Sequence, residues 1–195
     1  VVGCAGDPMI VDYDGNANAA AQYQWNFGSG IITNGSGIGP IAVYWPAPGI
    51  YDVELIVSWN GCISPSTVNQ IEILGPPPVD AGLDISFCSG DSGPIGSAPL
   101  AGVTYSWSPT NGVADPTASH TTVQVPNFAH EIEITEYTLT ASEQGCENTD
   151  KVNVVVFPIP TVEFAVPNGS CFNVNSYDFL ATGNFGPNTT FGWSF

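Results

Sequence analysis

Basic residues are almost missing from this chain: Lys and Arg together number 1, against 18 Asp and Glu, for a formal net charge of −17 at pH 7. Nucleic acid is bound through basic surfaces that neutralise phosphates, so it is excluded as a partner. Long apolar runs are missing as well. No stretch reaches the roughly 18 apolar residues of a membrane-spanning helix, so no transmembrane segment is expected in this region. Helical periodicity is the third absence. The 22 Gly and 17 Pro interrupt the apolar runs throughout, and no stretch keeps an i, i+3, i+4, i+7 pattern over three turns. The opening VVGCAGDP has neither the charged nor the apolar region of a signal peptide, so any export signal or anchor is expected outside this segment.

What is present is enough to fold. Of the 195 residues 43% are hydrophobic, which supports packed cores rather than disorder. The acidic surplus keeps neighbouring molecules apart and concentrates cations, as suits a solvated surface in extracellular water, and it admits Ca²⁺ as a candidate ligand.

Cysteine and tryptophan reveal a repeat. The interval from Cys4 to Cys62 equals that from Cys88 to Cys146, 58 residues, and both second cysteines follow a glycine. The first cysteines recur at Cys4, Cys88 and Cys171, periods of 84 and 83 residues, and each is followed by a tryptophan in a similar place: Trp25 in YQWNFGSG, Trp107 in YSWSP and Trp193 in FGWSF. Periods of this length fit immunoglobulin-like sandwich modules better than solenoid repeats of about 20 to 50 residues.

Turn residues divide the first repeat into β-rich runs over Met9–Tyr13, Gln22–Phe27, Ile41–Trp45, Tyr51–Trp59 and Asn69–Leu74. Tyr51, Val53, Leu55 and Val57 share one parity and are expected to face a core, with Asp52, Glu54 and Ser58 outside. In the second repeat Tyr137, Leu139 and Ala141 repeat the alternation, and Lys151–Phe157 closes the sheet. GPPPVDAG at Gly75–Gly82 and FPIPTVEF at Phe157–Phe164 cannot continue a ladder and read as short spacers. The expectation is therefore an all-β chain of tandem β-sandwich modules arranged end to end: residues 1–75, 79–157 and the first half of a third, 160–195. Trp25 is expected on a central strand in the core, with Phe27–Gly30 as the turn that leaves it.

The first repeat resembles a PKD domain, an immunoglobulin-like module whose pattern joins an aromatic-x-Trp-x-Phe-Gly turn to a Pro-Gly-x-Tyr-x-Val-x-Leu strand. The matching stretches are YQWNFGSG and APGIYDVELIV at Ala47–Val57, with Ser29 where that family usually has Asp. The second is similar to a related module of large Bacteroidetes surface proteins, through DAGLDISFCSGDS, YSWSPTNGVADP, YTLTASEQGC and VNVVV in that order. The resemblance implies a non-enzymatic structural or adhesive repeat, a stalk or spacer, in an exported cell-surface protein or filament of the gliding-motility or adhesin kind. It further implies an extracellular location reached by a type IX-like secretion route, with other modules of the same chain or filament as partners. PKD modules also accompany secreted hydrolases, which makes an accessory polysaccharide- or collagen-binding region the alternative. A second alternative is a self-assembling fibre subunit that completes its third module in trans.

On this frame Cys4–Cys62 and Cys88–Cys146 are expected as disulfides within each module, in an oxidising compartment, with Cys171 unpaired here and its partner expected in the missing half of the third module. No two cysteines have the C-x₂₋₄-C spacing of a zinc site. The candidate Ca²⁺ ligands are Asp12 and Asp14 in DYDGNAN, and Asp80 and Asp84 beside the linker. Yet Gly15 stands fourth rather than sixth, no Glu stands at the twelfth position, and Trp25 and Phe27 follow instead, so a polar turn is the simpler reading. No other cofactor is expected. Trp45, before a proline turn, and Trp59, at a strand end, are the candidate surface aromatics for a polysaccharide or protein ligand. His120 and His130 lie near no nucleophile motif. Glu131, Glu133 and Glu136 read as solvated strand residues, and the Gly-rich Gly28–Gly39 lacks the Lys and helix of a phosphate loop, so no enzyme activity is expected.

Overall fold

The computed structural model describes residues 1–128, 131–164, 181–183 and 189–192. The chain divides into two compact units. The first comprises Val1–Val79 with Leu100–Thr104 and Thr140–Thr149, and the second Asp80–Pro99, Tyr105–Leu139 and Asp150–Phe195. All regular elements among the described residues are strands.

The first repeat contains β1 (Val2–Cys4), β2 (Met9–Val11), β3 (Gln22–Asn26), β4 (Ile31–Asn34), β5 (Ile41–Tyr44), β6 (Gly49–Trp59), β7 (Cys62–Ile63) and β8 (Thr67–Leu74). One sheet has the order β1-β8-β6-β3, with β7 also paired to β6, and the other the order β2-β5-β4. Strand β1 runs parallel to β8, so Cys4 lies opposite Leu74, while β6 runs antiparallel to both β3 and β8. The inward residues of the two sheets meet in one core of Phe27, Ile41, Val43, Trp45, Val53, Ile71 and Ile73. This is an immunoglobulin-like β-sandwich.

The second repeat follows the same plan with β9 (Ile85–Cys88), β10 (Gly93–Gly96), β11 (Thr104–Ser108), β12 (His120–Val123), β13 (Glu133–Glu143) and β14 (Cys146–Phe157). Its sheets are β11-β13-β14-β9 and β10-β12, and β9 runs parallel to β14 as β1 does to β8. Tyr137, Leu139 and Ala141, the three residues expected inward from their parity, are fully buried, as are Val152 and Val154. A short pair, β15 (Glu163–Phe164) with β16 (Ala181–Thr182), follows. Cys171 and Trp193 lie outside the described residues.

Identical turns explain why the repeats fold alike. In both, the first cysteine ends a parallel edge strand and the chain turns on a left-handed glycine: Asp7 N donates to Cys4 O at 3.1 Å around Gly6, and Asp91 N donates to Cys88 O at 3.0 Å around Gly90. Ala5 N and Ser89 N then donate to Leu74 O and Phe157 O. The second cysteine follows a two-residue hairpin turn with both central residues at positive φ, Asn60-Gly61 (50° and 81°) and Gln144-Gly145 (49° and 88°). That is type I′ geometry, whose twist matches the flanking strands.

This geometry overturns the expected disulfides. Cys4 sits at the Gly49 end of β6 and Cys62 at its Trp59 end, about 33 Å apart along a strand rising about 3.3 Å per residue. Cys88 and Cys146 lie at opposite ends of β14 in the same way. The structure instead joins Cys4 to Cys146, with a Cα–Cα distance of 5.5 Å, and leaves Cys62 and Cys88 as exposed free thiols. The hairpin tip that carries Cys146 thus belongs to the first unit, where Asn148 Nδ2 also donates to Pro77 O at 3.1 Å.

Trp25 is corrected too. Strand β3 is an edge strand, and Trp25 is half-buried at the margin of the core, its Nε1 donating to Gly37 O at 2.9 Å. The turn after it is as expected: Gly30 N donates to Phe27 O at 2.9 Å around Gly28, whose φ is 60°.

Candidate functional site

A cavity of about 1220 Å³ opens in the first unit where the long β6–β8 sheet outruns its shorter partner. Side chains of one parity on β6, namely Val53, Leu55, Val57 and Trp59, face the same side. The core covers Val53, but beyond it the opposing sheet ends, and Leu55 and Val57 form an apolar floor. Thr67 and Asn69 lie directly across from Leu55 and Val53, and Trp25 pairs with Leu55 from the other side. The lining is therefore mixed: two indoles, an aliphatic floor, and the polar residues Asn16, Asn60 and Asn69.

The loop after β2 forms one wall. Two tyrosines fix it: Ala17 N donates to the Tyr13 hydroxyl at 3.0 Å, and the Tyr23 hydroxyl donates to Asn18 O at 2.8 Å and Ala17 O at 3.1 Å. The two rings meet edge to face at 5.0 Å. Desolvation, with the neighbouring Tyr13 second, raises the Tyr23 hydroxyl above its ordinary pKa. Asp12 and Asp14 stand exposed in this wall.

The candidate residues thus part company. Trp59, 51% exposed, lines the cavity beside Trp25, which the sequence reading had assigned wholly to the core. The shared parity of Leu55, Val57 and Trp59, with too few residues in β2 and β5 to cover them, was the signal for this groove. Trp45, expected as a surface aromatic, is completely buried. Its Nε1 donates to Phe27 O at 3.2 Å, and its ring stacks on Tyr51 at 5.7 Å and meets Phe27 at 6.4 Å. It continues the inward parity of Ile41 and Val43 past the end of β5, and that places it in the core.

Asp80 and Asp84 lie in the second unit and serve the backbone. Asp80 Oδ1 accepts Gly82 N at 2.9 Å. Asp84 accepts Asn153 N at 2.8 Å and Asn153 Nδ2 at 3.2 Å on its two oxygens, bonds that hold its carboxyl below the ordinary value. Among the described residues no three His, Cys, Asp or Glu side chains gather as metal ligands. Nor, among them, is any helix long and apolar enough to cross a membrane.

No protein-family pattern matches the chain, and no curated relative matches it. Solved structures do. The chain is similar to the I-band fragment I67–I69 of titin, at 11% identity and a TM-score of 0.39, over 96% of this chain and 86% of that one. Extracellular domains 3–5 of Drosophila OTK align at 10% identity and 0.39, over 80% and 58% of the two chains. A SusE-like, surface-located polysaccharide-binding protein of Bacteroides thetaiotaomicron aligns at 12% and 0.38, over 84% and 34%.

Proposed function

We propose that this chain is a non-enzymatic structural and adhesive repeat segment, PKD-like in type, of a bacterial protein exported to the cell surface or to an extracellular filament. The observation that carries the reading is the repetition of one module plan, with matching parallel edge strands and turns, and a covalent link between the first repeat's edge strand and the second repeat's hairpin. A repeat stapled to its neighbour suits a stalk that must transmit load. A disulfide that persists suits an oxidising, extracellular setting, and the net charge of −17 keeps parallel copies from pairing through their edge strands. The reading requires no cofactor and gives Ca²⁺ no role. Antibodies raised against residues 1–157 are expected to label intact cells of the producing bacterium, and in-frame removal of the segment to weaken attachment under flow. Labelling confined to lysed cells would overturn the reading.

The groove favours a second reading, recognition of polysaccharide by the segment itself. Sugars are held by aromatic faces together with amides and carboxylates, and Trp25, Trp59, Asn69, Asp12 and Asp14 offer that mixture on one unit. Retention of the chain on an immobilised polysaccharide, lost on Trp59→Ala while the thermal midpoint holds, supports this role. Equal retention of the two proteins rejects it.

A further inference from the structure

We propose that Cys88 and Cys62 are complementary halves of a second link of the Cys4–Cys146 kind: Cys88 bonds the hairpin cysteine of another repeat, and Cys62 bonds the turn cysteine of another.

Cys4 and Cys88 are the same position twice. Each ends a parallel edge strand opposite the last residue of its partner, Leu74 or Phe157, and each is followed by the same hydrogen-bonded turn, in Cys-Ala-Gly-Asp and Cys-Ser-Gly-Asp. Cys62 and Cys146 are likewise one position, the first residue after a type I′ turn. The bond that forms is turn to hairpin, across successive repeats. Among the described residues that leaves one turn cysteine and one hairpin cysteine, both exposed, each already in the local geometry that its bonded counterpart has.

The hairpin tips differ as a made and an unmade joint would. The tip carrying Cys146 clusters with residues of the first repeat, and its cysteine is 2% exposed. The tip carrying Cys62 leaves Trp59 51% and Ile63 74% exposed around an open thiol, apolar surface that a neighbouring repeat would cover.

The chemistry needs an oxidant of the disulfide class, and oxidised glutathione suffices. The Cys88 thiolate attacks it, forming a mixed disulfide and releasing one glutathione thiolate. The Cys62 thiolate of a second copy then attacks the Cys88 sulfur and releases the other, so two protein thiols become one disulfide and one glutathione disulfide becomes two thiols.

The inference deepens the stalk reading and rests on it for an oxidising setting, but oxidation in vitro tests it apart from surface display. Two full chains carrying Cys171→Ser are compared, one with Cys62→Ser and one with Cys88→Ser, with the Cys4–Cys146 bond verified in each by peptide mapping. In a concentrated glutathione redox buffer, either chain alone is expected to remain monomeric. Their mixture is expected to give a disulfide-linked heterodimer, well above the share from random pairing, with a Cys62–Cys88 peptide. The chain bearing both thiols should form a head-to-tail ladder. A mixture that stays monomeric, homodimers that form as readily as the heterodimer, or closure of Cys62 on Cys88 within one chain would each overturn the proposal.

Discussion

In the first repeat the completely buried indole is Trp45, just past β5; in the second it is Trp107, in β11, 2% exposed. These are not equivalent positions. Trp107 corresponds to Trp25, and both indoles donate to a loop carbonyl about one loop later, Trp107 to Ala118 O and Trp25 to Gly37 O, each at 2.9 Å. Facing them, Ile41, Val43 and Trp45 correspond to Thr121, Val123 and Val125, all buried. A sandwich of fixed thickness has room for one indole at this level. Where the opposing sheet supplies Trp45, Trp25 is pushed to the margin and lines a groove; where it supplies Val125, the indole of β11 fills the centre. The deeper positions follow suit. Tyr137, Leu139 and Ala141 are sealed in the second repeat, while their counterparts Val53, Leu55 and Val57 run out from the core into the cavity of the first. One module plan thus yields a closed core in one copy and an open groove in the other, through the placement of a single large side chain.

The sharpest way to break this pairing of repeats is to cut the link. Cys4→Ser or Cys146→Ser is expected to cost roughly 5 kcal/mol, since the bond closes a loop with a sequence separation of 142 residues. Urea denaturation measures that loss. The same loop hides its residues from a pulling force, so reduction should lengthen the chain held between its ends by about 500 Å at about 3.5 Å per residue. Equal extension of oxidised and reduced chains would remove the link from the account.

The exchange of indoles is tested next. Trp45→Ala and Trp107→Ala should each cost about 3–5 kcal/mol, and Trp25→Ala only about 1–2 kcal/mol, because much of its surface is already wet. A Trp25→Ala loss as large as that of Trp45→Ala would show that the marginal indole is structural after all.

A smaller effect separates Tyr137 from its counterpart Val53. The Tyr137 hydroxyl donates to Asn111 O at 2.6 Å, and Tyr137→Phe, which strands that acceptor, should cost about 1–3 kcal/mol. Desolvation, with Glu133 second, raises the Tyr137 pKa above the ordinary 10.0. The folded state therefore keeps a proton that the unfolded chain gives up. Its contribution is full below pH 10.0 and is lost as pH rises beyond that. Alkaline unfolding should be less steep in Tyr137→Phe.

The smallest effect is on the acid side. Asp84, held by Asn153, and Asp115, which accepts from the backbone and side chain of Thr117, both titrate below the ordinary 3.8. Their contribution is present above pH 3.8 and lost as pH falls through the lower folded values. Asp84→Asn with Asp115→Asn should lower the thermal midpoint slightly at pH 7 and leave it unchanged at low pH where both carboxyls are protonated, so the acid limb flattens.

Much of the fold was readable because its signals are local. Alternation marked the centres of β6 and β13, and Phe27–Gly30 marked a turn in which Gly28 has a positive φ. The first strands of both repeats were missed: β1 has three residues and β9 four, too short to show a period. Those strands carry Cys4 and Cys88. Without their parallel pairing to β8 and β14, an equal interval between cysteines suggested a bond inside each module, when it recorded only that both modules have the same length.

The sequence by itself determined that this protein is a repeat of β-strands and which parity of β6 and β13 faces inward, because backbone sterics and burial act over a few residues. Which cysteines bond, which indole fills the core and which lines a groove were decided by tertiary structure alone. A disulfide requires Cα atoms about 6 Å apart, and a core admits only the volume that its two sheets enclose. Both are distances between segments far apart in the chain, and no local pattern records them.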